Sequence, residues 1–216
     1  MQQPEVKICG TTTIEDARLA MVSGADYLGV IVDHPPSPRS VSIEDARMIF
    51  SQSTIPVVAV SVNQSLDALL HLAHVLRPAA LQLHGDESAE TVRVLKENGL
   101  QVWAACSGER DVARRRALEM TEAGADAILI DARVVSPQGT IYGGTGTCGD
   151  WDLARVLVQS GVRVVLSGGL SPDNVAEAIG AVQPWMVDVA SGVEARLGVK
   201  DPDKVRRFIE AARLRS

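Results

Sequence analysis

The residues best suited to chemistry open the chain. Lys7-Ile8-Cys9-Gly10 sets an ammonium group two positions before a thiol, where an apolar run breaks into threonines and acids. A neighbouring cation favours thiolate, and a thiol whose ordinary pKa is about 8.5 needs little help to act as a base. Cys106 ends another apolar run without a charged companion and Cys148 lies in a loop, so both read as small structural hydrophobes. Two later segments suit a different task. Ser167-Gly168-Gly169-Leu170 and Ser191-Gly192-Val193-Glu194 each follow an apolar run. Gly168, Gly169 and Gly192 let backbone N–H groups approach an anion, and a helix N-terminus adds partial positive charge. Together with Ser191 they read as a phosphate site in an otherwise acidic chain.

These groups act together only if the fold gathers them. Short aliphatic runs start at Val6, Tyr27, Val57, Ala80, Gln101, Ala127, Val162 and Met186. They are rich in β-branched residues and four to six residues long, the mark of strands buried on both faces in a parallel sheet. Between them lie helical stretches, several opening on a Ser, Thr or Asp cap and several closing on glycine; the last has Asp201 as cap and Pro202 at its first position. Each repeat takes 21 to 35 residues, so the spacing predicts a closed (β/α)8 TIM barrel, one α/β domain over residues 1–216. An open doubly wound sheet fits less well, because it favours fewer strands and no GxGxxG follows the first one.

In a barrel, alternate side chains point inward and strand ends meet the loops that form active sites. On that geometry Lys7 and Cys9 share the inner face of the first strand, Gln82 and His84 that of the fourth, Leu129 and Asp131 that of the sixth, and Asp188 and Ala190 that of the eighth. Ile8, Leu81, Leu83, Ile128, Ile130, Val187 and Val189 then pack on the helices. Charges inside the barrel need partners, and Lys7 with Asp188 reads as a buried ion pair. Asp131 serves equally as a loop brace or a catalytic acid, and His84 reads first as a ligand of loop backbone. Arg39, in a proline-stiffened loop after the second strand, suits a fork onto a carboxylate, against the usual expectation of a solvated surface arginine.

Composition narrows the function classes. With 216 residues, 46% apolar, the chain can bury a substantial core. Three scattered cysteines support neither a disulfide framework nor a zinc cage, no metal site is expected, and a reducing cytoplasm fits. No leader or membrane span is expected, and a net charge of −6 without basic runs argues against nucleic acid. Nothing in the outer helical faces chooses between monomer and homodimer.

The motifs "KICGTTTIEDA", "SPR", "LQLHGDE", "LID", "GGTGTCGDW", "LSGGLSPDNV" and "VDVASGVEARLGVKD" occur in an order that resembles the phosphoribosylanthranilate isomerase family, from Val6 to about Phe208. The resemblance implies a cofactor-free Amadori rearrangement of a small phosphorylated substrate in tryptophan biosynthesis. It implies Cys9 as general base, Asp131 as general acid, Arg39 for the anthranilate carboxylate, and Gly168, Gly169, Ser191 and Gly192 for phosphate. Lys7, His84, Gly144 and Asp188 are the remaining candidate substrate contacts. Acid and base must start in opposite protonation states, so the carboxyl pKa should be raised and the thiol pKa lowered. A barrel isomerase for another phosphorylated aminosugar and a non-catalytic phosphosugar-binding barrel are the alternatives.

Overall fold

A computed structural model describes residues 3–131, 133–136, 139–142 and 150–214. Among them the eight apolar runs are eight strands: β1 (Glu5–Cys9), β2 (Tyr27–Val32), β3 (Val57–Ser61), β4 (Ala80–Leu83), β5 (Val102–Cys106), β6 (Ala127–Ile130), β7 (Val164–Leu166) and β8 (Met186–Val189). Each pairs in parallel with its sequence neighbours, and β1 pairs with both β8 and β2, which closes the barrel. The seventh strand begins at Val164 rather than Val162. The helices alternate with the strands: α1 (Ile14–Val22), α2 (Ile43–Gln52), α3 (Leu66–Leu76), α4 (Ala89–Glu97), α5 (Arg110–Glu122), α6 (Trp151–Gln159), α7 (Val175–Val182) and α8 (Pro202–Arg213).

Local chemistry sets the helix starts. Thr13, Ser42, Ser65, Ser88 and Asp201 each accept a hydrogen bond from a first-turn amide, and Pro202 occupies the first helical position of α8, where no N–H is needed. Glu109, not an Asp, caps α5, and Asn174 precedes α7 without a side-chain cap bond.

The core has two layers, as alternation along the strands requires. Ile8, Leu81, Leu83, Ile128, Ile130, Val187 and Val189 belong to the large cluster between strands and helices. Cys9, Val58, Val60, Leu129, Val165 and Met186 form a second cluster inside the barrel. Toward the strand N-termini, Tyr27, Trp103 and Trp185 close the interior, with ring centroids 5.5 to 6.4 Å apart. Three of the chain's seven aromatic side chains are therefore spent on the end remote from the catalytic candidates. The mouth carries short strands that periodicity does not predict: Ser40–Val41 beside β2, and the antiparallel pairs Arg133–Ser136 with Gly139–Tyr142 and Glu194–Arg196 with Val199–Lys200.

Candidate active site

Strand register assembles the first group. Lys7 lies opposite Asp188 across the β1–β8 pair, and Cys9 lies opposite Gly29 across the β1–β2 pair. Lys7 is 0% exposed and its Nζ donates to Asp188 Oδ2 at 3.0 Å. Burial works against the Lys7 ammonium, but the Asp188 carboxylate and Cys9 outweigh it and raise its pKa. The expected ion pair is present. Asp188 Oδ1 is buried and has no hydrogen-bond partner among the described residues. Gly29 makes this arrangement possible. A Cβ at that position would stand 2.7 Å from Cys9 Sγ and 2.9 Å from Lys7 Cε, so the inner wall of β2 must be bare.

The Cys9 thiol departs from expectation. Burial pushes its pKa up, Asp188 adds to the rise, and the opposing pulls of Lys7 and Lys200 do not overcome them. Lys7 acts in the expected direction, yet its charge is shared with Asp188, so the free protein holds a thiol rather than a thiolate. Cys106 behaves as a structural cysteine: fully buried, its thiol is pushed up to about 12.

Asp131, at the C-terminal end of β6, is buried and bound on two sides. His84 Nε2 lies 3.0 Å from its Oδ2, and the Ser167 hydroxyl stands 3.5 Å from its Oδ1. Gln82 Nε2 is 2.8 Å from His84 Nδ1; with the amide donating there, the ring proton sits on Nε2 and is given to Asp131. His84 was expected to bind loop backbone through its ring, and its ring partners are instead the Asp131 carboxylate and Gln82. Gln82 shares the inner face with His84, so alternation marked its position, but nothing in the sequence marked its role.

The two glycine loops meet. Ser167, Gly168, Gly169, Asp188, Ser191 and Gly192 line one small cavity at the mouth. Gly168 and Gly169 adopt φ of 82° and 64°, a left-handed pair that suits glycine and turns successive amides to one side. A Cβ on Gly192 would meet the Leu170 carbonyl oxygen at 1.9 Å, so the loop after β8 can lie on the loop after β7 only with glycine there. Asn174 braces the first loop, donating to Gly169 O at 2.9 Å and accepting from Ser171 N at 2.8 Å. Residues 191–193 form a short 3-10 helix.

Arg39 is not a solvated arginine: it is 7% exposed. Its Nε and Nη2 donate to Glu194 Oε1 and Oε2 at 2.7 and 2.9 Å. Lys200 completes the group, with Nζ bonded to the carbonyls of Cys9 at 2.6 Å and Ala190 at 3.1 Å and 3.4 Å from Glu194 Oε1. Burial pulls the Lys200 ammonium down, against Glu194. Sequence reasoning assigned no role to Glu194 or Lys200, because strands of two or three residues carry no periodicity. Gly144 and Cys148 lie outside the described residues.

A closed parallel barrel with polar side chains and two glycine loops gathered at the C-terminal ends of its strands defines a (β/α)8 barrel protein with its candidate site at that end. Comparison with known proteins takes this further. The model of the N-(5'-phosphoribosyl)anthranilate (PRA) isomerase family matches residues 6–211. Curated N-(5'-phosphoribosyl)anthranilate isomerases from Haloferax volcanii and Thermotoga maritima are each 42% identical to this chain, covering 96% of it and 92% and 98% of their own lengths. The Thermotoga maritima crystal structure superposes with a TM-score of 0.85 at 40% identity, covering 97% of this chain and 98% of that one. A structure of a phosphoribosyl anthranilate isomerase in complex with reduced 1-(o-carboxyphenylamino)-1-deoxyribulose 5-phosphate gives 0.80 at 36% identity, over 97% and 98%. The chain belongs to the N-(5'-phosphoribosyl)anthranilate isomerase family.

Proposed function

We propose that the protein converts N-(5'-phosphoribosyl)anthranilate into 1-(2-carboxyphenylamino)-1-deoxyribulose 5-phosphate, a cofactor-free Amadori rearrangement in tryptophan biosynthesis carried out in the cytoplasm. The observation that carries this reading is the full-length family match joined to a barrel mouth in which Cys9 and Asp131 both belong to the inner face. Asp131 gives a proton to the furanose ring oxygen as the C1–O bond breaks, and the anilinic nitrogen lone pair forms the iminium ion. Cys9, as thiolate, then takes the proton from C2, and the electron pair of that C–H bond makes the enolamine. The C2 enol loses its hydroxyl proton and C1 gains one, so the formula is unchanged and a ketone remains.

The productive state has the proton on Asp131 and not on Cys9. It differs from the thiol–carboxylate state only in where one proton sits, so it needs no net exchange with solvent. The backbone amides about Gly168, Gly169 and Gly192, with Ser191, bind the phosphate; Arg39 binds the anthranilate carboxylate. Asp188 Oδ1, with no hydrogen-bond partner among the described residues, accepts a hydrogen bond from a sugar hydroxyl, while Lys7 holds Oδ2. His84 orients the acid, and Gly144 contacts the substrate.

Loss of anthranilate fluorescence on adding freshly generated phosphoribosylanthranilate tests the reading. Turnover by the wild type, abolished by Cys9→Ala and by Asp131→Asn in variants of unchanged Tm, is the expected result. Full turnover by either variant would contradict it.

A further inference from the structure

The Arg39–Glu194 pair raises a problem for a substrate that carries a carboxylate, because the arginine proposed to bind it already holds one. The geometry resolves it. Glu194 takes the side edge of the guanidinium, engaging Nε and one proton of Nη2. A guanidinium has five N–H donors in a fixed plane, so among the described residues the two on Nη1 and the second on Nη2 are left as a complete end-on fork.

We propose that Glu194 is a positioning residue for the substrate carboxylate: it grips the side edge of Arg39 so that the end-on edge is aimed at the anthranilate ring throughout the cycle. The inference rests on the functional reading above, and it treats Glu194 as a permanent clamp rather than as an occupant that substrate must displace.

Three observations converge on a fixed clamp. First, Glu194 is itself held: it faces Lys200 across the short antiparallel pair, and Lys200 ties that pair to the Cys9 carbonyl at 2.6 Å. Second, the hairpin lies on the two loops it must align. Thr12 Oγ donates to Gly198 O at 2.8 Å, and a Cβ on Gly198, at φ +76°, would stand 3.0 Å from Pro38 O, next to Arg39. Third, the stem of Arg39 crosses Gly10, where a Cβ would meet Arg39 Cδ at 2.6 Å, so both ends of the side chain are located. Since Gly10 follows Cys9, the same contacts set the carboxylate fork beside the proposed base. Pulling Glu194 away would break two charge-assisted hydrogen bonds in a buried setting, a change substrate binding has no need to drive.

The test uses the full chain and two probes: reduced 1-(o-carboxyphenylamino)-1-deoxyribulose 5-phosphate, and the same compound built on aniline, which lacks the ring carboxylate. Glu194→Gln should weaken binding of the first by about tenfold and of the second by less than about twofold, the selective loss expected when an aimed ionic contact is misdirected. Equal loss for both probes overturns the proposal, since a loosened fold or a general electrostatic change would not distinguish them. If the variant does not fold, the wild type still decides. The Arg39 Nε–H resonance should stay protected from exchange when the carboxylate probe binds, and its release to solvent would show displacement. Wild-type protein that binds neither probe overturns the functional reading and the clamp with it, whereas tight binding of both with equal loss in the variant overturns the clamp alone.

Discussion

Replacing Gly29 with alanine puts one methyl group into the space that Cys9 and Lys7 share. Gly29 has no left-handed backbone, so strain in φ plays no part. The new carbon would stand 2.7 Å from Cys9 Sγ, 2.9 Å from Lys7 Cε and 3.0 Å from Lys7 Nζ. Carbon atoms rest at about 3.5–4.0 Å, so each group must retreat by roughly 0.5–1 Å. Neither has free room, because both are buried and Lys7 is tied to Asp188. Overpacking of this kind costs about 1–3 kcal/mol, which for a chain of this size lowers Tm by roughly 2–12 °C. Activity should suffer more than stability. A displacement of about 1 Å at a reacting group costs on the order of a hundredfold in rate, so kcat/KM should fall by about that factor while the barrel stays folded at 25 °C. Paired thermal melts and fluorescence-monitored turnover measure both. An alanine variant with wild-type Tm and kcat/KM would refute the reasoning, because the crowding about the thiol would then be absent.

Other expectations follow from the same geometry. Because the productive state is a proton tautomer of the thiol–carboxylate pair, kcat/KM should hold level through about pH 8.5 and fall only as the pair loses its one proton, at a pH that burial and Asp188 push above the ordinary thiol value; a fall complete by about pH 8 would contradict this. The Cys106 thiol at about 12 stabilises the fold fully below the unfolded thiol's value, and that contribution should be lost as pH rises from about 9 to about 12, read as a falling Tm that Cys106→Ala does not show. His84→Asn should lower kcat by roughly 10–100-fold with little change in KM, since it releases the orientation of Asp131 and leaves the phosphate loops alone. Gly192→Ala would meet a backbone carbonyl at 1.9 Å and should raise KM by at least about tenfold, whereas Gly180→Ala, in α7 with open space around it, should stabilise the fold by about 0.5–1 kcal/mol.

Barrel and inner face were legible in the sequence because both follow from period. A β-branched run every 21 to 35 residues gives strand and helix in alternation, and period two along β1, β4, β6 and β8 sends Lys7, Gln82, Asp131 and Asp188 inward. The Lys7–Asp188 pair was readable for the same reason: two charges on inner faces must find each other. Gly29 carried a signal, an isolated glycine within an apolar strand, although what approaches it depends on the β1–β2 register. The partner of Arg39 was not readable. Glu194 and Lys200 sit on strands too short for any pattern, and they reach Arg39 and Cys9 only because the loop after β8 folds across the mouth. The direction of the Cys9 shift failed for a related reason: a charge two residues away is visible in sequence, while the depth of burial that outweighs it is a property of the closed barrel.

The account stands or falls on the sulfur taking a proton from the sugar. Substrate deuterated at ribose C2 puts that step in view, with release of deuterium to water as the signal. Wild-type protein should release it as product forms, and Cys9→Ala should release none while still binding the reduced product analogue. Deuterium released by Cys9→Ala at the wild-type rate would assign the base to another group.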